Sequence, residues 1–430
     1  MPRLSPFNGL VFDAAVSGPL ESVTAPPYDV ISDHRRLGYL RASPFSVVHL
    51  DLAEGTDDPT DPQSRYARAG RLLRDWEAAG ALRRAEEPCY YAYEMSSLPG
   101  PRGAGPGSAL GPGGTVRGLI CAMELEVWGG TVLPHEEVQE GPVGDRLALL
   151  RATRTHLSPV YGTLEGTDDW LDASVREVAS TPTPFEAVDE QSMRHRMWPV
   201  EGTAIQARLE GLRGEQLLIA DGHHRYTTAL RYRAERRRSD GPGPWDAVLT
   251  LVVDSTAEHL AVMPFHRVQL AGEAPTAGEA MPGLAETLGA LRDDDLTIGT
   301  IALDARNEVG YRVLRLEGGP PTVRALHEEL LDDLAPSSLR YVSDAAEADA
   351  TLRRGEAVAV YLLPPTTPGR IRAVVERGER LPQKSTYFWP KPRTGMVMMP
   401  LDPDPASPFP KPVAQSRAAD PSVNPTGRAS

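Results

Sequence analysis

The sequence predicts a mixed α+β (α/β) protein, and three stretches carry that prediction. The apolar run Leu217 to Ala220 reads as a short buried strand, turns at Asp221-Gly222, and passes into a helical pattern from Arg225 to Arg238. Two further strand patterns, Cys89 to Met95 and Val116 to Val127, face each other as a hairpin. Beyond residue 270, short apolar runs alternate with helical ones, such as Thr300 to Leu303, Tyr311 to Leu316, Val323 to Leu334 and Val358 to Leu363.

Composition narrows the class. A chain of 430 residues and 46.6 kDa buries more than one core, and its hydrophobic content of 40% is that of a water-soluble protein. A net charge of −14 argues against a generic nucleic-acid binder. Two cysteines, Cys89 and Cys121, exclude a disulfide framework and suit a reducing cytoplasm, the expected location. No run of about 18 apolar residues suggests a membrane span, and Met1 to Ser5 begin no signal peptide.

The elements follow in order. Pro26-Pro27 fix an extended backbone that presents Tyr28 and Asp29, and Ser32 is placed to cap a helix from Asp33. Ser46 to Leu52 alternates like a strand. Residues 64–79 place Tyr66, Ala69, Leu72, Leu73 and Trp76 on one helical face, stopped at Gly80. Leu98 to Gly114 is rich in Gly and Pro and reads as a mobile, dispensable loop; it lacks the pattern and the strand-to-helix context of a phosphate loop. A helix is expected from Asp145, as its cap, to His156, followed by a strand at Leu157 to Gly162. Ala247 to Val253 is a strongly apolar strand, and Val262 to Val268 another, with His266-Arg267 read as an edge pair. From Pro400 the chain is Pro-, Ser- and Ala-rich and reads as a disordered tail. The expected division is 1–270, carrying the central turn; 271–400, a C-terminal α/β segment; and 401–430, the tail.

Three polar constellations interrupt this plan. At Asp221-Gly222-His223-His224-Arg225, a carboxylate, two imidazoles and a guanidinium stand at a helix start, where Asp221 is placed to cap and the first N–H groups favour an anion. His135-Glu136 after a strand supplies a base or a metal ligand, and Arg146 and Arg151 on the following helix suit a polyphosphate. His135-Glu136 lacks the second histidine of a zinc-protease helix. Finally, Lys384-Ser385-Thr386-Tyr387-Phe388-Trp389-Pro390-Lys391 combines lysines, hydroxyls and aromatic rings, a set that binds phosphate and stacks a flat ring.

These stretches carry a resemblance. Ala25 to Ser32, Leu133-Pro134-His135-Glu136, Asp145-Arg146 through Thr153, Leu157-Ser158-Pro159, Ala220 to Leu230 and Pro382 to Pro390 resemble the bacterial and archaeal family called domain of unknown function 1015 (DUF1015), over about residues 6–400. Asp221 to Arg225 is more distantly similar to ParB-like domains, a superfamily that includes CTP-binding partition proteins, sulfiredoxin and free-serine kinases. The chain departs from the family pattern at Ser46, Val143 and His156, where asparagine, lysine and asparagine are usual. The resemblance implies a ParB-like core with additional α/β segments and a nucleotide-dependent phosphotransferase acting on a small hydroxyl metabolite such as serine. Glu136, Asp221 and His223 would then be catalytic. Gly222, His224, Arg225, Arg146, Arg151 and Lys384 would bind nucleotide and phosphate, with Asp221 on Mg²⁺ and ATP or ADP as the nucleotide. The alternative is a ParB-like nucleotide-binding switch without turnover. The net charge and the lack of a helix-turn-helix weigh against a DNA-dependent switch, and the lack of a cysteine in the motif weighs against sulfiredoxin-like chemistry.

Overall fold

The computed structural model describes residues 1–98, 114–212, 214–303, 308–319 and 321–402. Of the expected Gly- and Pro-rich loop, residues 99–113 lie outside the described residues, as does the tail from 403.

The architecture is mixed α/β, built on two large sheets. The first has nine strands. Its path runs Val132–Leu133, Leu217–Asp221, Val160–Leu164, Ala247–Asp254, Thr115–Glu124, Tyr90–Ser97, Met193–Val200, Phe185–Val188, with Leu4–Ser5 paired to Thr115–Glu124. All eight residues of Ala247–Asp254 are buried, as suits a central strand covered on both faces. The expected hairpin is present, with Tyr91 opposite Ile120 and Ser96 opposite Thr115.

The second sheet has six strands in the order Glu279–Met281, Val309–Arg315, Thr297–Leu303, Ala359–Leu362, His266–Gln269, Leu339–Val342, all antiparallel. The run Val262 to Val268, expected as one strand, divides at Pro264 and Phe265. Ala261–Met263 pairs with Tyr387–Trp389, and only His266–Gln269 joins the six-stranded sheet. His266 and Arg267 are not an edge pair: their strand lies between two others, with Arg267 paired on both sides, and both residues are buried. After Leu381 the chain returns to the first sheet's side. There Thr394 meets Ala25, Met398 meets Leu10, and Met399–Pro400 pairs with Thr155–His156.

Two further expectations are corrected. Ser46 to Leu52 is not a strand; Val48–Asp51 is one helical turn, with Val48, Leu50 and Asp51 buried. A run this short and mostly buried carries no periodicity that separates the two. The helix before Leu157 is Glu140–Thr153, so Asp145 lies inside it and caps nothing. Gly141 and Pro142 fall in its first turn, where no backbone donor is needed, so the proline permits the earlier start. The Arg65–Ala78 helix matches its expected span, with Ser64 accepting from the Ala67 N–H and Tyr66, Ala69, Leu73 and Trp76 buried.

Candidate functional site

The site is built on the strand Leu217–Asp221, whose first four residues are buried, and the helix His223–Asp240 that follows it. Gly222 joins them with φ 94°, in the left-handed region, and a Cβ there would stand 3.0 Å from Arg225 Nε. The expected cap is corrected: Gly222 is the N-cap and no side chain caps the helix. The Asp221 carboxylate instead accepts from Arg225 Nη2 at 2.5 Å and from Lys391 Nζ at 2.5 Å. Burial pushes this carboxyl up, but Lys391 and then Arg225 outweigh it and hold it at about 2. Lys391 is raised above the ordinary lysine range, because Asp221 and Asp29 overcome its burial.

Val132–Leu133 runs parallel to Leu217–Asp221, which brings His135 and Glu136 alongside the turn. His135 is fully buried. Its Nδ1 donates to the Ile219 carbonyl at 2.7 Å, and its Nε2 accepts from Thr386 Oγ1 at 2.7 Å. Its backbone N–H donates to His223 Nε2 at 3.2 Å, with the two rings edge to face at 4.5 Å. Burial lowers His135 to about 4 and drives His223 well below the usual histidine value, so both imidazoles are neutral. His224 Nε2 accepts from the Gln139 N–H. Glu136 accepts from the Lys384 N–H at 2.7 Å; burial raises its carboxyl to about 7, against the pull of Lys384.

Glu136, Asp221, Gly222, His223, His224, Arg225 and Lys384 thus line one cavity of about 40 Å³, together with Asp29, Thr386 and Lys391. A larger cavity of about 580 Å³ shares Asp29, Phe265 and Lys391 with it and lies between Pro26 to Arg35 and the stretch Arg340 to Glu347, which leads from the second sheet into a helix.

Arg146 and Arg151 do not line this cavity. Arg146 is buried, bonded to Asp51 and Asp145, and stacked over the Tyr28 ring at 4.2 Å. Arg151 pairs with Glu235 on the facing helix, with half its side chain exposed. Val143, one of the departures from the family pattern, is buried inside its helix.

The donor set does not fit a metal ion. Asp221 has a cation on each oxygen, so the Mg²⁺ ligand expected there is not supported. His135, Glu136 and His223 have ligand atoms within 4.8 Å of one another. However, Nε2 of His223 is used by the His135 N–H, and both nitrogens of His135 are engaged.

The sequence placed Lys391 in a phosphate-binding stretch and Asp29 on a rigid loop, but gave neither a role at the central turn. One signal was present for the lysine. Only three of the chain's 45 basic residues are lysines, and Lys384 and Lys391 are two of them. A lysine supplies a compact ammonium where an arginine would supply a planar fork.

The family match covers the expected family stretches up to residue 310, and the Pro382 to Pro390 stretch lies beyond it. The model of the family described as protein of unknown function (DUF1015) matches residues 4–310. No curated protein matches the chain. Among solved structures, it is similar to a free serine kinase in complex with AMP, at 13% identity and TM-score 0.35, covering 66% of this chain and 88% of that one. It is also similar to a conserved hypothetical protein from Pyrococcus furiosus, at 14% identity and TM-score 0.34, covering 64% and 90%. A third is C-terminally truncated SbnI from Staphylococcus aureus, at 10% identity and TM-score 0.32, covering 64% and 85%. No helix among the described residues is long and apolar enough to cross a membrane. With the family model matching well over half its length, the chain belongs to the DUF1015 family.

Proposed function

We propose that the cavity at the Gly222 turn receives the phosphates of a nucleotide and that the protein transfers a phosphoryl group to a small hydroxyl compound. The observation that carries this reading is the convergence of Arg225, Lys384 and Lys391 with Glu136 on one cavity at the N-terminus of an 18-residue helix. Phosphoryl transfer needs positioning and neutralisation of charge more than covalent chemistry. The three cations and the helix N–H groups supply neutralisation. Glu136, held near 7, sits where a general base works best at neutral pH. In the step, the acceptor hydroxyl oxygen bonds to phosphorus as the bond to the leaving phosphate breaks, and Glu136 takes the hydroxyl proton. His223 stays neutral, oriented by the His135 N–H. No step is assigned to a divalent ion held by Asp221.

The phosphate contacts are Arg225, Lys384 and Lys391 in place of Arg146 and Arg151. The 580 Å³ cavity has the volume of a small-molecule site and adjoins the phosphate cavity, so the remainder of donor or acceptor is assigned to it. The test is a thermal-shift screen of the whole chain against ATP, ADP and CTP, with and without Mg²⁺, followed by ³¹P NMR of phosphoryl transfer to serine and other hydroxyl compounds. Binding raises the melting temperature. Binding without transfer to any acceptor leaves a nucleotide switch as the reading, and no binding removes both.

A further inference from the structure

Arg267 has no exposed surface, and among the described residues its donors meet carbonyls and an imidazole rather than a carboxylate, an uncommon state for a guanidinium. It stands in His266–Gln269, between two strands of the second sheet. Nη1 donates to the carbonyls of Phe265 and Lys384, at 2.5 and 2.9 Å, and Nη2 to the carbonyl of Gln383 at 3.3 Å. Nε donates to His327 Nε2 at 3.2 Å. Burial, followed by the Arg267 charge, lowers His327 to about 4, so it is neutral and free to accept. Arg267 itself is lowered by burial to about 10, still charged at neutral pH.

The Gln383 carbonyl and the Lys384 N–H belong to one peptide group. Arg267 holds its oxygen, and Glu136 accepts from its N–H at 2.7 Å. A cation on the carbonyl side polarises the group and strengthens the bond on the N–H side. Lys384, held at φ 53° in the left-handed region, extends Nζ toward Asp29 at 3.6 Å, beside the cavity. We infer that Arg267 is a positioning residue that grips, from the second sheet, the peptide group fixing both the Glu136 carboxylate and the Lys384 ammonium. The inference rests on the phosphotransfer reading only for its effect on turnover.

The chain's three lysines make the test direct. Protein labelled with ¹⁵N-lysine gives at most three backbone amide signals, and Lys384→Arg identifies the one that matters. Arg267→Met is expected to speed exchange of the Lys384 amide by at least about tenfold, as for a lost charge-assisted bond, and to leave the Lys391 amide unchanged. Arg267→Lys keeps a buried cation without the fork and falls between parent and Arg267→Met. Unchanged Lys384 exchange in folded Arg267→Met overturns the inference. If that variant does not fold, unchanged exchange in Arg267→Lys overturns it. Where the parent turns over, kcat falls together with amide protection. A parent without turnover removes the phosphotransfer reading alone, and the exchange comparison still decides the role of Arg267.

Discussion

Asp221 and Lys391 are 170 residues apart in sequence and meet at 2.5 Å, Nζ to Oδ1, with the lysine side chain 6% exposed. The contact ties the C-terminal return segment to the end of the strand that carries the central turn. Removing one member leaves the other charge buried, so Lys391→Met is expected to cost about 3 kcal/mol or more. Asp221→Asn combined with Lys391→Met is expected to cost less than the two single changes added together, a coupling readable from urea unfolding. Additive losses would show that the pair does not act as a unit.

Gly222 makes the turn with φ 94° and leaves its missing Cβ position 3.0 Å from the Arg225 side chain. Gly222→Ala therefore carries backbone strain and displaces Arg225. A loss of about 1–2 kcal/mol in chemical denaturation is expected, with weaker nucleotide binding. An unchanged midpoint would mean that the turn relaxes without strain.

How far the sequence led is clearest at these residues. The strand Leu217–Asp221, the glycine turn and the helix after it were legible, because a buried run, a left-handed glycine and a long helix each leave a local mark. So was the 90–124 hairpin, from two facing strand patterns. The partners of the charged residues were not legible. Nothing local to Asp221 says that its carboxylate turns to Lys391 rather than to the helix N–H groups. Nothing local to Arg146 says that Asp51 and Asp145 already occupy it. The buried place of Arg267 was also hidden, since it follows from strands at 339–342 and 359–362 closing on both sides.

The arginines give a matched pair of outcomes. Arg225 lines the cavity and bonds to Asp221 and Ser158, whereas Arg151 is half exposed and pairs with Glu235. Arg225→Ala is expected to weaken nucleotide affinity at least about tenfold by calorimetry, as loss of a charge-assisted contact does. Arg151→Ala is expected to leave affinity unchanged and to shift stability by under about 0.5 kcal/mol, as for an exposed pair. Equal effects from the two would move the phosphate site away from the turn.

Glu136 also sets a pH dependence. Its carboxyl is raised by burial from 4.5 to about 7, so the folded protein binds this proton more tightly than the unfolded chain. Between those two values the folded state holds more protons, and the Glu136 contribution to stability falls as pH rises. Glu136→Gln keeps an acceptor for the Lys384 N–H and cannot ionise. Its melting temperature is expected to exceed that of the parent above about pH 7, with the gap closing toward about pH 4. A gap that does not depend on pH would place the Glu136 carboxyl in an ordinary environment.

The most direct measurement compares parent and Glu136→Gln for both nucleotide binding, by calorimetry, and phosphoryl transfer to hydroxyl compounds, by ³¹P NMR. The variant keeps Arg225, Lys384 and Lys391 and loses only the group assigned to take the hydroxyl proton. Affinity is predicted to stay within a small factor of the parent's, while turnover falls by roughly a hundredfold or more. Turnover at the parent rate in the variant would contradict the account.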